Sequence, residues 1–141
     1  MLLLWRLEKE MQILPIYASL LAILFVVLSI RTIRLRRKLQ IAVGDQANPE
    51  MLRAMRVHSN FAEYVPLALF LVYLAEGSAA YPWLVHALGC SLLIGRLSHA
   101  YGVSQHREKF QYRVFGMAMT FTCILGSASW LLFAYIKYFY A

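Results

Sequence analysis

Arg56, Asn60 and Glu63 stand at i, i+4 and i+7 in the stretch RVHSNFAEYVPLAL, and Arg53 lies one turn earlier. At 3.6 residues per turn these four share one helix face. Arginine forks grip carboxylates bidentately, and a carboxylate accepts from an ammonium, so such a face suits a small ligand carrying both kinds of charge. A structural role fits the same pattern: Glu63 paired with an arginine of another helix, and Asn60 bridging two helices. Proton-coupled transport on a membrane carboxylate is a third role, although Glu63 shares its face with Arg56 and Asn60 instead of standing alone. An ionisable group at membrane depth costs about 2.5–3.5 kcal/mol on insertion scales. Glu63 must therefore face a bundle interior, water or a cation.

Other arginines gather where this face begins. RTIRLRRK closes the preceding apolar run, GRLSHAYG closes the third, and YRVFG opens the fourth. Arg96 and His99 are i, i+3 on one helix face. One carboxylate cannot neutralise so many guanidiniums, whereas a small anionic ligand can.

The elements that must position these residues are membrane helices. The 141-residue chain is 61% hydrophobic and 15% charged, well above the apolar share of about 45–50% in soluble domains. Runs free of acidic and basic residues span Ile13–Ile30, Tyr64–Ala75, Gly77–Gly95 and Val114–Ile136. About 20 residues cross the hydrocarbon core, so four helices are expected, over about 12–36, 50–75, 81–104 and 113–138. The second qualifies only if its first turns carry the polar face. Asn48 and Pro49 suit a cap and first turn, Pro82 suits the start of the third helix, and Pro66 predicts a local bend beside Glu63. Short loops between successive spans give an antiparallel four-helix bundle.

Eleven of the 14 basic residues flank the first and third loops, which the positive-inside rule places in the cytoplasm, with both termini outside. A basic membrane protein of this kind contacts anionic lipid, and no soluble basic module is present for nucleic acid. Cys90 and Cys123 lie mid-helix and read as small core thiols, and no metal-ligand spacing links them to His58, His86, His99 or His106. Residues 1–11 lack a cleavable signal pattern and read as a dispensable outer segment.

The pattern R-x-x-x-N-x-x-E-Y-x-P, here Arg56, Asn60, Glu63, Tyr64 and Pro66, resembles the second-helix signature of the MAPEG family, the membrane-associated proteins in eicosanoid and glutathione metabolism. RLRRKLQIAVGD, GRLSHAYG and RVFGMAMTF are similar to its other segments, in particular those of its small bacterial branch. The resemblance covers nearly the whole chain and implies an all-α membrane protein that assembles as a homotrimer and binds glutathione as cosubstrate between neighbouring subunits. It implies that Arg56, Asn60, Glu63 and Tyr64 hold the tripeptide, that Arg36 or Arg37 reaches it from a neighbour, and that Arg96 and His99 are third-helix ligands. Arg113 matches the arginine that holds the sulfur, with Arg107 as the second candidate. The implied activity is glutathione transfer to a lipophilic electrophile, with peroxidase activity as a variant. Two departures stand: Val103 replaces a frequent tyrosine, and Val114 replaces a serine. A non-catalytic glutathione-binding or structural trimer and a small transporter are the alternatives.

Overall fold

In a computed structural model, which describes residues 12–140, the chain forms four helices: α1 (Leu14–Leu39), α2 (Pro49–Gly77), α3 (Pro82–Ser104) and α4 (Phe110–Tyr140). The expectation for residues 1–11 falls outside the described residues. Helix α1 runs three residues past its expected end, to a Gln40 in the left-handed region whose N–H reaches the Arg37 carbonyl. Asn48 caps α2 as its sequence suggests: its Oδ1 accepts from the backbone N–H of Glu50 and Met51, each at 3.0 Å, with Pro49 in the first turn. Pro66 sits inside α2, which continues through it unbroken.

Packing follows from small side chains and a few polar clamps. Phe25 stacks on His58 with ring centroids 4.9 Å apart, Ser29 bonds His58, and Arg36 reaches Met55, so α1 and α2 run antiparallel. Ser91 donates to the Met119 carbonyl at 2.7 Å and Ser98 to that of Tyr112 at 3.0 Å, which sets α3 antiparallel to α4. Between those clamps the two backbones close on Gly95 and Gly116: a Cβ at Gly95 would lie 2.9 Å from the Gly116 carbonyl oxygen. Only glycine permits that approach, as in other membrane helix pairs. The Tyr17 hydroxyl, 2.9 Å from His86 Nδ1 and 3.1 Å from Cys90 Sγ, joins α1 to α3.

Helices α1, α2 and α4 are long and apolar enough to cross a membrane. Helix α3 does not meet that measure, a correction to the expectation of four such helices. It carries the polar residues Ser91, Arg96 and His99 on its buried side, where Ser91 and Arg96 bond to α4 and α2, and His86 on its exposed side, bonded to Tyr17. Cys123 is the core thiol expected, whereas Cys90 is exposed, on the side of α3 turned away from its buried Leu88, Ser91 and Leu92.

Candidate functional site

The C-terminal ends of α1 and α3 and the N-terminal ends of α2 and α4 share one end of the bundle. There, a cavity of about 420 Å³ is lined by Arg53, Arg56, Asn60 and Glu63 of α2, His99 and Val103 of α3, Glu108 of the last loop and Arg113 of α4. Five of the residues expected in the site, Arg56, Asn60, Glu63, His99 and Arg113, thus meet in one place, with Arg53 of the same helix face beside them. The helical register accounts for the α2 contribution. Gly102 accounts for Arg113: a Cβ on residue 102 would lie 2.8 Å from the Arg113 backbone nitrogen, so a glycine there lets the start of α4 fold back against the end of α3.

Behind the cavity wall lies Arg96, only 1% exposed. Its Nη1 donates to Asn60 Oδ1 at 2.8 Å and its Nη2 to the Gly116 carbonyl at 3.3 Å, while Nε has no acceptor among the described residues. Guanidinium groups only donate, so Asn60 must present its carbonyl oxygen to Arg96 and its NH₂ elsewhere. Arg96 therefore leaves the NH₂ of Asn60, a residue of the cavity wall, as its free donor. His99 is 5% exposed, with its backbone pressed against Gly116.

Charge is unevenly satisfied. Arg113 Nη1 donates to Glu108 Oε1 at 2.8 Å, the one ion pair among the described residues. Glu63 is in none, and neither are Arg53 and Arg56. Across the loop, Lys109 donates to the Tyr101 hydroxyl at 3.2 Å and lies 5.3 Å from that ring's centre and 5.7 Å from that of Tyr112. Those partners raise the lysine's pKa above its ordinary value, chiefly through the hydrogen bond to Tyr101. The loop residue beside Glu108 is thereby anchored.

Other residues expected in the site stand apart from this cavity. Tyr64 packs edge-on against Phe121 with centroids 5.7 Å apart. The Arg36 guanidinium is committed to its own loop, donating to the carbonyls of Ile41, Ala42 and Gly44. Arg37 and Arg107 are exposed and do not line the cavity. Glu108 and Ser59 also line the cavity, outside the polar pattern that the sequence shows. The five-residue spacing between Glu108 and Arg113 was the available signal for the first; nothing distinguishes Ser59 from a solvated helix serine.

The MAPEG family matches the chain over residues 14–133. The inner membrane protein YecN of Escherichia coli strain K12 is 39% identical over 110 residues, covering 78% of this chain and 82% of that protein. YecN of Escherichia coli strain CFT073 matches with the same figures. The family match spans all of α1, α2 and α3, most of α4 and every residue of the cavity, and the chain is an integral membrane protein belonging to the MAPEG family.

Proposed function

We propose that this protein binds glutathione in the cavity between α2, α3 and α4 and activates its thiolate for attack on lipophilic electrophiles, as a microsomal-type glutathione transferase. The observation that carries this reading is the charge of the cavity: three guanidiniums, from Arg53, Arg56 and Arg113, surround a Glu63 that has no ion-pair partner among the described residues. Glutathione carries two carboxylates, one ammonium and an ionisable thiol: Arg53 and Arg56 suit the carboxylates, Glu63 the ammonium, and Arg113, once released by Glu108, the thiolate. A volume of about 420 Å³ lies within the range of roughly 300–1,000 Å³ typical of small-molecule sites. The protein acts as a homotrimer of the inner membrane, with its basic end in the cytoplasm. Neighbouring subunits complete the open side of the cavity.

The chemistry asked of the chain is modest. A thiol with a pKa near 8.5 is only a few per cent ionised at neutral pH, and a guanidinium beside the sulfur favours the anion. The thiolate lone pair then forms the sulfur–carbon bond while the electrophile's leaving group departs with its electron pair. Arg113, which lines the cavity at the start of α4, takes this role in our reading, and Asn60, bonded to Arg96, supplies a neutral donor. The electrophile enters from the bilayer.

A second reading, glutathione binding without catalysis, draws on one observation: Glu108 already occupies Arg113. One experiment separates the two. Detergent-purified protein is tested for thermal stabilisation by glutathione and for conjugation of a chromogenic electrophile. Both responses together support the transferase, stabilisation alone supports the binder, and absence of both overturns the glutathione site.

A further inference from the structure

A second basic groove lies apart from the cavity just described. It encloses about 550 Å³ against Val27, Ile30, Arg31, Arg34, Leu35 and Lys38 of α1, with Glu50 of α2 at its edge. Three arginines of this end are held by protein acceptors: Arg36 holds the first loop, Arg96 holds Asn60 and Arg113 holds Glu108, while Arg53 and Arg56 belong to the other cavity. Arg31 is pinned to Ser104 of α3. Arg34 and Lys38 stand in no ion pair among the described residues, and neither does Glu50, the groove's one acidic residue.

What lies below the cations is equally specific. Ile16, Leu20, Ile23, Val27 and Ile30 are exposed large apolar residues, spaced alternately four and three apart, and the same helical row continues into Arg34 and Lys38. One face of α1 is thus apolar along its length and cationic at its end. From Leu14 to Ile30 it rises about 25 Å at 1.5 Å per residue, close to the roughly 30 Å hydrocarbon thickness, which puts Arg34 and Lys38 at headgroup depth. From Leu20 to Ile30 is about 15 Å, half of that thickness and the depth of one leaflet.

We infer that this groove is a binding site for an anionic phospholipid, its phosphate held by Arg34 and Lys38 with Arg31 behind them, and its acyl chain laid along Ile30, Val27, Ile23 and Leu20. Charge complementarity selects an anionic headgroup over a zwitterionic one, since the groove offers three cations to one carboxylate. The continuity of the apolar row selects a lipid over a soluble anion. The site is independent of the glutathione reading, because none of its lining residues lines the other cavity.

The test uses the full chain reconstituted with equal amounts of phosphatidylglycerol and phosphatidylcholine, extracted in mild detergent and weighed by native mass spectrometry. Wild type is expected to retain phosphatidylglycerol in preference to phosphatidylcholine. A basic residue near an anionic surface is worth about 1 kcal/mol, or about fivefold. Arg34→Gln/Lys38→Gln should therefore lose retention by tenfold or more, and Arg34→Lys/Lys38→Arg should restore it in a folded protein. Arg37→Gln/Arg107→Gln, which removes the same charge at the same end, should retain lipid as wild type does. Equal loss in that control, equal retention of the two lipids, or displacement by added glutathione or inorganic phosphate would each overturn the site. A change of oligomeric mass in Arg34→Gln/Lys38→Gln with lipid retained would assign the face to a second copy of the chain instead.

Discussion

Arg113 and Glu108, both of which line the cavity, are joined at 2.8 Å. Glu108 occupies the cation that a thiolate would need, and its loop is held in place by the contacts of Lys109 with Tyr101 and Tyr112. The pair is half exposed, at 49% and 38%, so its worth is that of a surface ion pair, at most about 1 kcal/mol. An incoming anion must displace Glu108 before it gains Arg113. Glu108→Gln should therefore tighten glutathione binding by about two- to fivefold, with the gain shrinking as salt is added. Calorimetric titration at low and high ionic strength measures both effects; weaker binding in Glu108→Gln would instead make Glu108 a ligand of the tripeptide's ammonium.

Asn60 is the single side-chain oxygen that the buried Arg96 reaches, at 2.8 Å. Replacing it leaves a desolvated guanidinium short of an acceptor, and hydrogen bonds to charged groups contribute about 1.5–3 kcal/mol. Asn60→Leu should lower the thermal unfolding temperature of the detergent-solubilised protein by several degrees, and Asn60→Asp, which keeps an oxygen for Arg96, should largely preserve it. Glutathione affinity should fall in both variants, because each removes the free amide donor of the cavity wall. Equal stability of Asn60→Leu and wild type would show that Arg96 does not depend on Asn60.

Much of this arrangement is legible in the sequence, for reasons that differ from residue to residue. The Arg56, Asn60 and Glu63 face follows from helical period alone, and Asn48 and Pro49 mark the start of α2 by local rules that no tertiary contact overrides. Tertiary placement is what period cannot convey. Arg36 has the same local signature as Arg34, yet one reaches back to the carbonyls of its own loop and the other lines a groove on α1. Helix α3 illustrates the same limit: Ser91 and Arg96 lower its hydropathy, and a hydropathy window does not register that they are buried with partners on α4 and α2. Cys90 and Cys123 look alike in sequence, and only the rotation of each helix separates an exposed thiol from a core one.

The close approach of α3 and α4 can be broken without touching a charged residue. A Cβ at Gly116 would lie 2.5 Å from the Gly95 carbonyl oxygen and 2.6 Å from the His99 backbone nitrogen, neither of which is the end of a flexible side chain. Overpacking of this kind costs about 1–3 kcal/mol. Gly116→Ala should therefore lower the unfolding temperature and also weaken glutathione binding, since separating α3 from α4 draws His99 away from Arg113. Gly77→Ala, where an added Cβ meets nothing within 4 Å, should leave both unchanged. Unfolding and glutathione titration of the two variants side by side give the comparison.

Glu63 and Arg56 line the cavity without an ion pair among the described residues, so neither is spoken for by the fold of the single chain. Glu63→Gln and Arg56→Ala should each abolish glutathione-dependent stabilisation while the unliganded unfolding temperature stays within about a degree or two of wild type, as expected for half a kcal/mol or less at the surface. Size-exclusion chromatography with light scattering should report an unchanged assembly. Stabilisation that survives in both variants would remove the glutathione site, and loss of assembly in either would make these residues structural.

Arg113 should act on the sulfur more than on binding. It opens α4 within the same cavity as the α2 residues proposed to hold the tripeptide, and a guanidinium remains charged throughout the physiological range. A nearby cation lowers the pKa of a bound thiol, so the reactive thiolate is present above that lowered pKa and is lost as pH falls through it. A tenfold gain in thiolate population corresponds to about 1.4 kcal/mol of preference for the anion. Arg113→Ala should return the thiolate titration, followed by its ultraviolet absorbance, toward the free value near 8.5, and move the acidic limb of the rate profile to higher pH by the same amount. The turnover number at neutral pH should fall in proportion to the thiolate lost, with a smaller loss of glutathione affinity. A thiolate pKa unchanged in Arg113→Ala would pass the role to Arg53 or Arg56, the other guanidiniums of the cavity, and the absence of any thiolate signal in wild type would favour the binder over the transferase.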